Sequence, residues 1–312
     1  MLQSSILSIG ASTILQLFQD FYQRFPFLEI DQAIEYFSLY GGRESEISLN
    51  LFEDIALSAE VTFVQHYQET QQLIHPSYLH EAPYANLLTA VARGDGRLSN
   101  VFKRARIGEG AGGEIISHLR GLGILTLEPS RQAPIKAHPK HLLKRHLRGY
   151  RIEAKVRFVR PFERFWFGFV APYRAELSMR KGLHFTENFA QHKERAYSLV
   201  FEQLSMQLLA HHYQTKDPII SQGSFWDHHS EFDILSVTRS GKIILGECKY
   251  TSRKVTKKEL TKLKDKAHHS GIRVDTYALF SKSGFSKELE GISSDSLLLW
   301  SLDELSEALA KP

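Results

Sequence analysis

The sequence predicts an α+β protein with an N-terminal helical region, a winged helix-turn-helix and a C-terminal αβββαβ domain with a mixed sheet. Helical spacing of apolar residues, three and four apart, dominates the first 120 positions. Apolar and polar residues alternate between 231 and 250, which is typical of strands. We place the boundaries at 1–82, 83–160, 161–189 and 190–312, with 161–189 as an aromatic-rich connector.

Bulk composition excludes several classes of protein. The chain has 312 residues, of which 42% are hydrophobic and 24% charged, as in soluble globular proteins. No apolar run reaches the ~20 residues that span a bilayer, and the N-terminus lacks the basic start of a secretory signal. A lone cysteine, Cys248, excludes an internal disulfide and a Cys-based zinc site. We expect a cytoplasmic protein without membrane contact.

Charge is distributed unevenly along the chain. Residues 1–80 hold ten acidic and two basic side chains, whereas residues 81–312 hold 25 acidic and 37 basic ones. A basic body of this kind suits a polyanionic partner, because Lys and Arg displace counterions from phosphates. For the acidic N-terminal helices we expect a packing role or a protein partner.

The first helices follow from the apolar spacing. Ile14, Leu15, Phe18, Phe21 and Tyr22 form one stripe. A second helix is predicted over residues 31–40, and the glycine pair that follows it ends that helix.

Residues 83–160 predict a winged helix with a basic wing. Helices are expected at 85–92, 98–106 and 113–120, followed by a strand at 122–127. The third helix of such a domain can enter a major groove. The wing residues predicted to contact nucleic-acid phosphates are Lys136, Lys140, Lys144, Arg145 and Arg148. The alternative is a winged helix for protein contacts with a solvated basic loop.

Two motifs in the middle of the chain, a GxGxxG pattern and an aromatic run, resemble ligand-binding motifs but are interpreted as structural. Gly108, Gly110 and Gly113 satisfy GxGxxG, but no strand precedes them and no P-loop lysine follows. We therefore expect a flexible turn and no nucleotide cofactor. The aromatic run at 165–169 is expected to pack the winged helix onto the next domain, in preference to stacking on bases.

Four polar side chains form the predicted catalytic site. Glu202 lies in an apolar row of the helix predicted at 193–210, where a carboxylate is costly without a cation. The alternative for Glu202 is escape to solvent or an arginine partner. Asp233 lies in one strand, and Glu247 and Lys249 share one face of the next. A turn at 239–241 makes the two strands antiparallel neighbours, so that these groups converge.

This arrangement is suited to phosphodiester hydrolysis. Asp233, Glu247, Glu202 and the backbone carbonyl of Cys248 offer hard oxygen ligands that suit Mg²⁺ or Mn²⁺. A bound metal activates water, and Lys249 can stabilise charge in the transition state. A lone E-x-K is common in proteins, so the prediction depends on the complete set of residues.

The remaining elements complete the domain. A basic helix is expected over 256–268, in which Lys257 and Lys258 are predicted to contact phosphates. Strands are expected at 273–281 and 297–300, and a closing helix at 302–310.

Glu202, Asp233 and the segment Glu247-Cys248-Lys249-Tyr250 resemble the signature of the PD-(D/E)XK nuclease superfamily, over residues 190–301. The resemblance implies a restriction-endonuclease-like fold. The phrase at 119–125 and the aromatic run are similar to the C-terminal portion of archaeal-type AAA/STAND ATPases, where a winged helix precedes a nuclease-like domain of unknown function. The segment at 31–42 is similar to the helical segment that follows the ATPase core in that family.

Three departures from these families matter. Phe232 stands where the nuclease signature has proline, and Arg160-Pro161 stands where the ATPase family has Asp-Pro. The sequence contains no Walker motif, so ATP-dependent remodelling is not expected.

The sequence therefore predicts a Mg²⁺-dependent nuclease that acts on DNA, expected to be double-stranded. The alternative is a DNA-binding or partner-binding protein that keeps the nuclease fold without activity. RNA or a structured DNA junction remains open as a substrate.

Overall fold

The structure is a computed structural model that describes residues 13–132, 152–227 and 230–310. The five basic wing residues predicted to contact phosphates, Lys136, Lys140, Lys144, Arg145 and Arg148, lie outside the described residues. The α+β class is confirmed. Within the described residues, a helical N-terminal half precedes a five-stranded mixed sheet with helices on both faces.

The N-terminal region is helical, as the apolar spacing predicts. It contains α1 (Ile14–Arg24), α2 (Ile30–Tyr40), α3 (Ile55–Glu60) and α4 (Tyr67–Gln71), with a π turn between the last two. The stripe of α1 is confirmed, since Phe18 and Phe21 are fully buried against Phe37 of α2. Gly41 caps α2, also as predicted.

The winged helix consists of α5 (Tyr84–Arg93), α6 (Leu98–Ala105), α7 (Glu109–Gly121), β1 (Leu125–Glu128) and β2 (Lys155–Phe158). The two strands pair antiparallel. The prediction of a flexible turn at the GxGxxG glycines is wrong. Gly108 is the N-cap of α7, and Gly110 and Gly113 lie inside the helix. Tertiary packing overrides the low helix propensity of glycine here, because Gly112 lies against Phe102 of α6.

Two adjacent glycines of α7 should respond to alanine in opposite directions. A Cβ at Gly112 would lie 2.4 Å from the Phe102 ring, whereas a Cβ at Gly113 meets nothing within 4 Å. Gly112→Ala should destabilise the fold by ~1–3 kcal/mol through overpacking. Gly113→Ala should stabilise it by about 0.5–1 kcal/mol, since alanine favours a helix. Urea unfolding of both variants tests this, and equal effects would contradict the packing.

The exposed face of α7 is acidic in its first half. Glu109 and Glu114 are exposed there, and Arg120 lies near the other end. Carboxylates repel the phosphates that line a major groove. The start of this helix face therefore offers negative charge, and whether the winged helix contacts nucleic acid or a protein stays a prediction.

The aromatic run is a packing segment, as predicted. It follows α8 (Pro161–Phe165) and precedes α9 (Arg174–Leu177), and its residues from Trp166 to Val170 form a π turn. Phe167 stacks on Phe158 of β2 at 6.0 Å between ring centroids. Phe165 meets Phe189 of the next helix edge-on at 5.7 Å. The run thereby joins the winged helix to the C-terminal domain.

The C-terminal domain follows the predicted order of elements. It contains α10 (Leu183–Tyr213), β3 (Ile219–Trp226), β4 (Glu231–Thr238), β5 (Ile243–Lys249), α11 (Lys257–His269), β6 (Thr276–Ser281), α12 (Lys287–Glu290), β7 (Leu297–Trp300) and α13 (Leu302–Ala310). The strand order is β3-β4-β5-β6-β7, antiparallel up to β5 and parallel from β5 to β7. The predicted boundary at 189/190 falls inside α10.

Two apolar clusters lie on the two faces of this sheet. One includes Leu245 and Leu279 and is covered by Leu260 and Leu263 of α11. The other contacts α10 and continues without a break into the winged helix and the N-terminal helices.

An ion pair also links α2 to the C-terminal domain, since Glu35 Oε1 of α2 lies 3.0 Å from Lys282 Nζ. At least this acidic residue has an internal partner.

A buried lysine fixes the winged helix to the sheet. Lys155 of β2 is 1% exposed, forms a very short ion pair with Glu231 of β4, and lies 4.4 Å from the Trp226 ring centre. The Trp226 indole N–H also donates to the Glu153 carbonyl at 3.0 Å. A buried ammonium group needs such partners, so the start of β4 is held beside β2.

Among the described residues, no helix combines the length and the apolar character needed to cross a bilayer.

Candidate functional site

The register of β4 and β5 brings Asp233 and Glu247 together. Ile234 faces Gly246 across the antiparallel pair, so Asp233 and Glu247 are the next facing positions. At this position the backbone pairing between β4 and β5 ends, and the Asp233 side chain accepts a hydrogen bond from β5 instead. The Cys248 backbone N–H donates to Asp233 Oδ2 at 2.8 Å. The Asp233 carboxylate is therefore fixed beside the last residues of β5.

The electrostatics of the two carboxylates show that they influence each other. Burial, and then the negative charge of Glu247, raise the pKa of Asp233 from its ordinary value of 3.8 to about 6. Glu247 Oε2 is buried and has no hydrogen-bond partner within the described residues. A buried carboxylate oxygen that lacks a hydrogen bond and lies beside a second carboxylate is stabilised by a nearby cation.

Lys249 is a charged neighbour of this pair. Its Nζ lies 2.6 Å from Glu247 Oε1, which confirms that the two side chains share one face of β5. Burial lowers the pKa of Lys249, but the Glu247 carboxylate outweighs burial, and the net result is a raised pKa. Lys249 therefore stays protonated at neutral pH, where it can stabilise negative charge and cannot act as a base.

Glu247 and Lys249 open into a strongly basic cavity of about 560 Å³. The other cations that line it are Arg253, Lys254, Lys262 and Lys266. Lys266 Nζ lies 3.8 Å from Glu247 Oε2. The sequence did not assign a site role to Lys266, although Lys262 and Lys266 are four residues apart on α11 and so share a face.

Lys257 and Lys258, the predicted phosphate contacts, lie elsewhere on α11. Both are exposed, and neither lines the cavity of Glu247. Lys257 Nζ forms an ion pair with Glu288 at 3.1 Å. The structure thus does not bring these two lysines to the carboxylates, and their contact with phosphates stays a prediction.

Glu202 lies in a second cavity, of about 320 Å³, between α10 and the winged helix. Arg157 and Arg164 line the same cavity. Burial, and then the charge of Asp233, raise the pKa of Glu202 to about 8, against the opposing influence of the two arginines. The charge of Asp233 therefore affects the pKa of Glu202, but Glu202 does not line the cavity that contains Glu247 and Lys249. Its role as a metal ligand stays a prediction.

The donor set fits a divalent cation with two carboxylates. Within the described part of the chain, no three His, Cys, Asp or Glu side chains are grouped as in a metal site. Asp233, Glu247 and the carbonyl of Cys248 are the groups that would supply oxygen ligands, and Mg²⁺ commonly takes one or two carboxylates and completes its shell with water and substrate phosphate. Glu247 Oε2 has no hydrogen-bond partner within the described residues, and Lys266 lies 3.8 Å from it, so this is the oxygen that such a cation would contact.

The fold and the site define an α+β domain whose mixed sheet holds two interacting carboxylates, Asp233 and Glu247. Glu247 lines a basic cavity together with Lys249, whereas Asp233 lies beside that cavity and does not line it. Residues 166–263 match the family DUF234, described as archaeal and bacterial proteins of unknown function. The matched span includes Glu202, Asp233, Glu247 and Lys249. No curated protein and no solved structure matches the chain. The expected likeness to a domain of unknown function is confirmed, and the match states no activity.

Proposed function

We propose that this protein is a divalent-metal-dependent nuclease that hydrolyses phosphodiester bonds in DNA. The observation that carries the proposal is the facing pair Asp233 and Glu247, with a buried oxygen on Glu247 that has no hydrogen-bond partner within the described residues. The proposal also draws on the resemblance of these residues and Lys249 to the PD-(D/E)XK signature. Mg²⁺ is the expected cation, with Mn²⁺ as a substitute.

Each residue has a distinct role in the proposed reaction. Asp233 and Glu247 hold the cation together with the Cys248 carbonyl. The cation, when bound, lowers the pKa of a water molecule and polarises the phosphate. Hydrolysis adds the water oxygen to phosphorus and breaks one phosphorus–oxygen ester bond, and the leaving oxygen takes a proton. Lys249 offers a fixed positive charge to the phosphate oxygens as negative charge develops on them.

The basic cavity supports a nucleic-acid substrate. Four cations besides Lys249 line it, and Lys266 approaches Glu247 itself. Phosphate contacts of this kind position the backbone near the carboxylates and carry no sequence information. We expect cleavage with weak sequence preference, of double-stranded DNA before other nucleic acids.

A cleavage assay tests the proposal. Wild type and Asp233→Asn are incubated with plasmid, linear duplex, single-stranded DNA and RNA, in Mg²⁺, Mn²⁺ or EDTA. Asparagine keeps an oxygen that accepts the Cys248 N–H bond, so the fold should survive. Cleavage should require the metal and fall by ~10³-fold or more in Asp233→Asn, because a ligand of the activating cation is lost.

The control variant is Asp265→Asn, an exposed aspartate of α11 that does not line the cavity. It should cleave like wild type. Equal cleavage by Asp233→Asn would expose a contaminating nuclease. Metal-independent binding without cleavage on every substrate would favour the alternative, a protein that keeps the nuclease fold without activity.

A further inference from the structure

A large arginine-lined cavity lies away from the two carboxylates. Its volume is about 780 Å³, and its walls come from α5, the end of α6 and the segment from the aromatic run to α9. Arg93, Arg104, Arg106 and Arg174 line it, and none of the acidic side chains that the structure describes does. Most pockets of this size are lined mainly by apolar groups, so four guanidinium groups are a specific feature of this one.

Two of these arginines are held by backbone carbonyl groups and have no ionic partner within the described residues. Arg104 donates to the Arg93 carbonyl at 2.9 Å, and Arg174 donates to the His80 carbonyl at 2.6 Å. Within the described residues none of the four forms an ion pair. Backbone carbonyls orient a guanidinium group but leave its charge uncompensated, so its remaining N–H groups are free to meet an anion.

A fifth arginine increases the crowding of positive charge. Arg195 of α10 donates to the same Arg93 carbonyl at 2.7 Å. Burial, and then the charges of Arg104 and Arg93, lower the pKa of Arg195. Like charges gathered in this way are unfavourable in the absence of an anion, and a bound anion would relieve the repulsion.

The wall of the cavity also contains uncharged aromatic and polar residues. Trp166 is fully buried, stacks on Tyr67 at 5.7 Å, and its Nε1 has no hydrogen-bond partner within the described residues. Asn86 and Thr89 of α5 add polar groups to the same wall. The cavity therefore offers charged donors for a phosphate, together with neutral groups that a base or sugar requires.

We propose that this cavity binds the terminal phosphate of a nucleotide, with Arg104 and Arg174 as its principal contacts. Guanidinium forks match phosphate oxygens in geometry and charge, which makes arginine the preferred residue for such a ligand. The source of the phosphate is a free nucleotide or the phosphorylated end of a nucleic-acid strand. The proposal does not depend on cleavage at Asp233 and Glu247.

Calorimetric titrations of the full chain test this inference. The probes are AMP and a ten-nucleotide oligodeoxythymidine with either a 5′-phosphate or a 5′-hydroxyl, all in EDTA so that cleavage cannot interfere. The variants are Arg104→Gln and Arg174→Gln, each at an exposed position. The matched control is Arg120→Gln, an exposed arginine of α7 outside the cavity.

Each cavity variant should bind a phosphorylated probe ~10-fold more weakly or worse, since a charge-assisted hydrogen bond is lost, while the control stays within about twofold of wild type. Binding of AMP supports a free nucleotide as the source, and selective binding of the 5′-phosphorylated strand supports a strand end. The proposal is overturned if no probe binds below about 1 mM, a weak limit for a specific site. Equal weakening by Arg120→Gln, or equal affinity for the 5′-hydroxyl strand, would overturn it too.

Discussion

Replacing Lys249 with methionine should lower the rate of DNA cleavage by ~10²–10³-fold, the usual effect of losing one electrostatic contact to the transition state. Methionine keeps the unbranched shape of the side chain and removes the ammonium group, with its charge and its hydrogen-bond donors. The affinity for Mg²⁺ should not weaken, since Lys249 is a neighbour of Glu247 and not a ligand. Single-turnover cleavage at saturating DNA, together with a calorimetric titration of Mg²⁺, separates these two quantities.

The control for this variant is Lys287→Met, an exposed lysine of α12 with no part in the site. Glu202→Gln is a second comparison and should reduce the rate by less than ~10-fold, because its carboxyl is already protonated at neutral pH. If Glu202→Gln lowered the cleavage rate more than Lys249→Met, Glu202 would contribute more to catalysis than Lys249. That result would also show that Glu202 enters the metal shell once the cation is bound.

The parts of the site that the sequence predicted are the local ones. Asp233, Glu247 and Lys249 lie in one hairpin, and the period of two along each strand fixes their faces. The turn at 239–241 then fixes the strand pairing. For the same reason the order of helices and strands in the C-terminal domain could be predicted, since each element has its own hydrophobic period.

The parts that the sequence missed depend on contacts between distant segments. Lys266 reaches Glu247 only because α11 packs across β5, and nothing in the lysine-rich helix distinguishes Lys266 from Lys258 in advance. The start of α7 was missed for a related reason. Glycine disfavours a helix, but Gly112 allows α7 to approach Phe102, and packing outweighs propensity there. The arginine-lined cavity draws on residues from Tyr67 to Arg174 and has no sequence motif.

The stability of the metal-free protein should fall as pH rises from about 4 to about 8. The folded state raises the pKa of Asp233 to about 6 and that of Glu202 to about 8. A carboxyl with a raised folded pKa binds its proton more tightly in the folded state, so the folded protein is favoured at low pH. This stabilisation is lost progressively as the pH rises above the pKa of the unfolded chain, and none of it remains above the pKa of the folded protein. The loss should be ~2 kcal/mol or more, since one pKa unit corresponds to about 1.4 kcal/mol.

Asp233→Asn should flatten this pH dependence and raise the melting temperature in EDTA at pH 8, because one of two repelling carboxylates becomes neutral. Saturating Mg²⁺ should stabilise wild type at that pH and leave Asp233→Asn unchanged, since a ligand that binds only the folded state adds to its stability. Glu60→Gln, at an exposed acid of α3, is the control and should follow wild type in both solutions. A wild-type stability that stays level from pH 5 to 8 in EDTA would mean that the fold does not raise the pKa values of Asp233 and Glu202. If Mg²⁺ then stabilised both variants equally, the cation would be bound elsewhere, and the assignment of Asp233 as a ligand would be lost with it.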